Sequence, residues 1–211
     1  MADAEARTLP AAAPQLNHRL RGVHFLSRSG IAVRVIMMGS IPHRLHRIMS
    51  RRIALRRSPI HGNGVFALVD IPKGTELIEY RGRRMTHAQI DRQYADATDT
   101  GHTFLFTLND RYVIDANFEG NIARCINHSC KPNCQAVIEE SEGKDRRKDR
   151  VLIETIRPLH AGDELTYDYG IDLGERLTPR LKQIWACRCG APRCIGTMLK
   201  PKRKVRSAAS R

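Results

Sequence analysis

NIARCINHSCKPNC, residues 121–134, is the stretch on which the reading of this chain turns. It sets Asn127 and His128 beside three cysteines, Cys125, Cys130 and Cys134, and breaks at Lys131-Pro132-Asn133. Neither a strand period nor a helix period runs through it, so it reads as a structured connection and not as a regular element. An amide and an imidazole buried side by side need hydrogen-bond partners. Packing them together without a ligand would be costly. Two other dense segments, Glu164-Leu165-Thr166-Tyr167-Asp168-Tyr169-Gly170 and Cys187-Arg188-Cys189-Gly190 with Cys194, make sense only when folded back onto the first.

Outward on the N-terminal side, Ile53-Ala54-Leu55 reads as a short strand. Residues 58–67, SPIHGNGVFA, then give a Gly-x-Gly turn into a second strand. Two glycines permit positive φ and close approach of backbone to a ligand, although the pattern alone most often marks just a turn. Residues 70–75 turn into a strand at 76–80. Thr86, with Gln89 three positions on, is a capping box that opens a helix running to about Tyr94. Residues 104–108 and 112–114 flank Asn109-Asp110 as a hairpin. On the C-terminal side, 135–138 and 151–156 form another pair, and the charged connection 139–150 suits a solvated hairpin end. Residues 158–163 then turn the chain into 164–169. Many short strands, one helix and frequent Gly/Pro turns predict a mostly β fold of small sheets.

The 211 residues can bury one good core with room for flexible ends. The formal charge is +14, unevenly placed. Residues 1–50 carry 7 basic and 2 acidic groups and residues 198–211 carry 6 basic and none acidic, which leaves 23 against 20 between Arg51 and Thr197. The positive field therefore sits on the two ends, a low-order basic leader and a basic tail. Such ends offer salt-sensitive, non-specific contact with nucleic acid. Met37, Met38 and Met49 each offer an alternative start of translation. The most apolar early run, residues 31–38, is interrupted by Arg34 and is too short for a membrane span, and no signal-peptide cleavage pattern follows. An intracellular setting with no membrane contact is expected. Six cysteines there are better read as metal thiolates than as disulfides.

Cys187-x-Cys189-x4-Cys194 supplies three thiolates in eight residues, with Gly190 for the tight turn between them. A structural zinc takes four ligands in a closed tetrahedron, so a fourth must come from elsewhere. Cys125, Cys130 and Cys134 all lie in the central stretch.

The three segments together resemble the SET-domain protein lysine methyltransferases with a zinc-binding post-SET tail, and residues 58–64 are most similar to the trithorax-type subgroup. The resemblance covers about residues 51–196. It implies a SET domain at 51–173, a post-SET zinc segment at 174–197, and a knot-like threading of the C-terminal strand that sequence patterning would not give. It makes Cys130 the fourth ligand of one structural zinc with Cys187, Cys189 and Cys194, leaving Cys125 and Cys134 as buried small hydrophobes. It also brings S-adenosyl-L-methionine as methyl donor. His61, Asn63, Gly64, Phe104, Asn127, His128 and Arg188 would then touch the cofactor, and the catalytic positions would be Tyr169, Tyr80 and Tyr167. Tyr169 is expected to aim its hydroxyl at the methyl and the amine, while Tyr80 and Tyr167 line the lysine channel. Tyr112 reads as ordinary packing.

Tyr167 stands where Tyr instead of Phe restricts the number of methyls in the family, so a mono- or dimethylated product is expected. Two positions depart from the family pattern: Cys125 replaces a usual aromatic and Phe104 a common Tyr. The leading reading is a monomeric protein-lysine N-methyltransferase acting on a histone or another basic protein, such as a histone-like or ribosomal one. It would sit in the nucleus of a eukaryote or the nucleoid of a bacterium. The alternative is a catalytically weak SET-fold module that binds nucleic acid or protein through its zinc tail and basic termini.

Overall fold

The capping box at Thr86 forms as the sequence predicts. The Gln89 N–H donates to Thr86 Oγ1 (3.3 Å) and the Thr86 N–H to Gln89 Oε1 (2.8 Å), so helix α1, His87–Gln93, starts with both end groups satisfied. The computed structural model describes residues 52–95, 101 and 103–201. The basic leader and nearly all of the basic tail lie outside the described residues.

Among the described residues, ten short strands follow in chain order. They are β1 (Ile53–Arg57), β2 (Asn63–Ala67), β3 (Glu76–Glu79), β4 (Arg83–Thr86) and β5 (Leu105–Thr107), then β6 (Tyr112–Asp115), β7 (Asn127–His128), β8 (Cys134–Glu139), β9 (Arg150–Thr155) and β10 (Thr166–Tyr167). They form four small sheets: β1-β2, β3-β9-β8, β4-β6-β5 and β10-β7. Every pairing is antiparallel except β7 with β10. A second short helix, α2, spans Pro179–Ile184 behind an N-cap at Thr178. Val65, Ile71, Leu108, Ile114, Ile126, Ile153 and Leu165 fill the core where these sheets meet.

Four elements differ from the sequence reading, the second helix among them. Residues 122–125 of the central stretch form a 3-10 turn and Asn127–His128 a two-residue strand, so the stretch is less irregular than its pattern suggests. β4 is a strand because β6 supplies its hydrogen bonds; Arg-Arg-Met-Thr has no alternation to announce it. The charged connection is more than a solvated end, because Asp149 is fully buried. Its carboxylate accepts from the Asn109 amide (2.9 Å) and the Ser141 N–H (3.0 Å), and Arg146 Nε lies 3.0 Å away.

Candidate active site

β7 and β10 are each two residues long, and side chains complete what their backbones lack. Asn133, itself buried, accepts the Thr166 N–H at Oδ1 (2.8 Å) and donates Nδ2 to the Glu164 carbonyl (2.8 Å), acting as a surrogate strand beside β10. The pairing sets Asn127 opposite Thr166 and His128 opposite Tyr167. The central stretch and the Tyr-Asp-Tyr segment thus meet, as expected. The Asn127 amide points the other way along the chain, to the His61 carbonyl (3.2 Å), the Asn63 carbonyl (3.1 Å) and the Glu164 carboxylate (2.7 Å). The buried amide has its partners.

The tyrosines form a continuous aromatic wall. Tyr80 lies 5.3 Å from Phe106, Phe106 6.5 Å from Tyr167, Tyr167 4.9 Å from Tyr169, and Tyr169 5.4 Å from His128, centroid to centroid. The Tyr80 hydroxyl donates to the Phe104 carbonyl (2.9 Å) and the Tyr169 hydroxyl to the Ile126 carbonyl (2.8 Å). Burial, reinforced by neighbouring phenols at Tyr80 and Tyr167 and by Cys125 and Glu164 at Tyr169, raises all three pKa values well above the ordinary tyrosine value. They remain neutral hydroxyls throughout the physiological range. Phe104 is half-buried against this group, with the Arg124 guanidinium 5.0 Å over its ring.

His128 is buried, and burial lowers its pKa against the opposing pull of Asp168. Its Nδ1 accepts the Tyr169 N–H (3.1 Å), which leaves the proton on Nε2, 3.6 Å from the sulfur of Cys130. The imidazole therefore bridges the tyrosine segment to a cluster of thiols. The Sγ atoms of Cys130, Cys187, Cys189 and Cys194 all lie within 4.8 Å of one another, an arrangement that could hold a metal ion. Cys189 is poised for this role. Burial opposes its ionisation, but the backbone N–H groups of Cys130 and Ala191 and the neighbouring thiols bring its pKa down to about 6. Cys134 is buried apart from the cluster, its thiol pushed up to about 12 by burial, and Cys125 is half-buried at the core edge.

A cavity of about 130 Å³ opens beside His128 and Asp168, with Arg193, Met198 and Leu199 on its other sides. Arg193 lines it and Arg188, which is exposed, does not. A larger space of about 560 Å³ lies away from the tyrosines, between the Cys189–Pro192 turn and the segment from Arg157 to Glu164. His61 and Asn63 are exposed and Gly64 buried on the turn that Asn127 holds. Sequence reasoning assigns no role to Ser58 or Glu164, yet Ser58 Oγ donates to Glu164 at 2.7 Å. Their separation of 106 positions leaves no local signal.

Comparison with known proteins agrees with this geometry. The SET domain family model matches residues 62–170. The chain is 37% identical over 146 residues to "Histone-lysine N-methyltransferase, H3 lysine-4 specific" of Candida albicans, covering 68% of this chain and 13% of that protein. It is 35% identical over 144 residues to "Histone-lysine N-methyltransferase trithorax" of Drosophila virilis (67% and 3%). It is 36% identical over 147 residues to the human "Histone-lysine N-methyltransferase EHMT1" (68% and 11%). The chain thus spans a small part of the length of the curated relatives it matches. With the central stretch, the tyrosine wall and the family match coinciding on the same residues, this chain belongs to the SET-domain family.

Proposed function

We propose that this chain is an S-adenosyl-L-methionine-dependent protein-lysine N-methyltransferase acting on a basic protein, a histone by analogy with its relatives. The observation that carries the reading is the wall of neutral tyrosines set directly against the Asn127–His128 strand. When bound, S-adenosylmethionine supplies an electrophilic methyl on a sulfonium. The chain's own task is to deliver a neutral amine in line with it. A free lysine, with pKa about 10.4, is neutral in roughly one molecule in two thousand at pH 7. The desolvating faces of Tyr80, Phe106 and Tyr167 favour the neutral form, so no carboxylate base is required. Tyr169 would present its hydroxyl oxygen to the amine and methyl, and holding that geometry is a proximity effect.

For the cofactor, the apolar Met198 and Leu199 beside the polar His128 and Asp168 suit a flat heteroaromatic ring. The turn at His61, Asn63 and Gly64, with Phe104, Asn127 and Arg188, would take the remainder. The thiols fit one structural zinc: sulfurs at about 2.3 Å around a tetrahedral ion stand roughly 3.8 Å apart. Cys130 Sγ lies 3.7 Å from that of Cys187 and 3.8 Å from that of Cys194. The zinc would clamp the post-SET segment, 174–197, onto the SET domain at 51–173.

A monomer in the nucleus, with the basic ends contacting nucleic acid, completes the proposal. No helix among the described residues is long and apolar enough to cross a membrane. The test is transfer of labelled methyl to core histones and other basic proteins by zinc-loaded protein, with the modified residue mapped. Label on a lysine side chain is expected. Absence of transfer to any of them, with cofactor bound, would contradict the reading.

A further inference from the structure

We infer that Ser58 and Glu164 are positioning residues for the cofactor, locking the turn of residues 58–64 onto the Asn127 amide. The inference rests on the methyltransferase reading above and adds two residues that touch no reacting atom in it. Ser58 stands at the centre of the arrangement. Its hydroxyl donates to the Glu164 carboxylate (2.7 Å to Oε1, 2.9 Å to Oε2) and accepts from the Ile60 N–H (2.9 Å) and from Asn127 Nδ2 (3.1 Å). The His61 N–H approaches the same oxygen at 3.4 Å, so the hydroxyl has no capacity left. Its own N–H closes the turn on the Gly62 carbonyl (3.0 Å).

Glu164 is equally committed, accepting from Ser58 and from Asn127 at 2.7 Å. Its backbone is fixed as well: Glu164 bridges to Phe66, and the Leu165 N–H donates to the Val65 carbonyl (2.8 Å). Space for the carboxylate exists because residue 64 is glycine. A Cβ there would collide with Oε1 of Glu164 and press on Cβ of Ser58. A half-buried carboxylate is costly to place unless its partners are fixed. Here those partners are the serine and the amide that set the path of the turn. Asn127 passes the restraint on, since the two N–H groups of its amide are shared among Ser58, Glu164 and the carbonyls of His61 and Asn63.

The Tyr169 hydroxyl is held separately, by the Ile126 carbonyl. Loosening the turn should therefore weaken cofactor binding without disturbing the reacting geometry, which appears as a higher KM at constant kcat. The experiment measures cofactor Kd by calorimetry, and KM and kcat at saturating substrate, for wild type, Ser58→Ala, Glu164→Gln and Ser58→Thr. Ser58→Ala and Glu164→Gln should raise Kd and KM for S-adenosylmethionine about tenfold, ~1.4 kcal/mol, with kcat within about twofold. Ser58→Thr, which keeps the hydroxyl, should recover most of the affinity. Ser58→Ala, the milder change, decides the matter if Glu164→Gln does not fold. Unchanged Kd in a folded Ser58→Ala protein, or lost kcat at unchanged KM, would overturn the inference while leaving the methyltransferase reading intact. A folded wild type that binds no S-adenosylmethionine would overturn both.

Discussion

Removing the metal should release the C-terminal segment and leave the rest of the domain folded. The residues that attach this segment are few. Trp185 and Leu199 are buried but stand outside the main core cluster. Two such side chains contribute roughly 3–6 kcal/mol between them, whereas a structural zinc site supplies about 10–16 kcal/mol. A zinc held by the four thiols would therefore provide the larger share of what holds the segment, and among the described residues Cys130 would be its only ligand from the body of the domain. Backbone amide exchange with and without a chelator reads this directly. The Cys187 N–H bonded to Gly196 (3.1 Å), the Met198 N–H bonded to Trp185 (2.9 Å) and the Lys200 N–H bonded to Ile171 (2.7 Å) are the probes. They should lose at least about a hundredfold in protection, ~2.8 kcal/mol. The β8–β9 amides should stay within about threefold of their starting values. Unchanged protection of the three probes after verified loss of zinc would refute the argument.

Other perturbations have defined outcomes. Tyr167→Phe should shift the product toward trimethyl-lysine, because Tyr167 lies 4.9 Å from Tyr169 and in the proposed site its hydroxyl would limit room for a methylated amine; dominant trimethylation by the unaltered protein, read by mass spectrometry, would contradict this. Tyr80, Tyr167 and Tyr169 have pKa values raised by burial above their unfolded values, so their contribution is complete below pH about 10 and is lost as pH rises beyond it. Melting temperature should accordingly be insensitive to these groups near neutrality and fall above that pH. Asp149→Ala should destabilise the domain by about 1–3 kcal/mol, because it leaves the Ser141 N–H without its acceptor and removes the buried carboxylate from Arg146 and Asn109, which keep Glu140 and the Arg146 carbonyl as partners; denaturant unfolding measures it.

What could be read from the chain was what neighbours in sequence decide. Thr86 and Gln89 are three positions apart, and their reciprocal bonds are a local matter. The hairpin around Asn109-Asp110 and the spacing of Cys187, Cys189 and Cys194 are local in the same sense. Long-range closure was legible only in outline. Nothing in Asn127–His128 shows that its partner is a two-residue strand near position 166, or that Asn133 completes the ladder. β4 exists because β6 offers it hydrogen bonds. Asp149 looks like any other charge in a run of charges, and only the approach of Asn109 from another hairpin makes it a core residue. The meeting of the central stretch with the Tyr-Asp-Tyr segment was expected; the geometry adds that it runs through His128 Nδ1 and the Tyr169 N–H.

The central claim is that the Tyr169 hydroxyl serves the transfer itself. The most direct measurement compares Tyr169→Phe with wild type for labelled methyl transfer, alongside cofactor affinity and melting temperature. The hydroxyl donates only to the Ile126 carbonyl, at a wall whose other rings remain in place. Transfer should therefore fall by about a hundredfold or more, with cofactor affinity within about twofold and the fold intact. Transfer at the wild-type rate by the folded, cofactor-bound variant would contradict the claim.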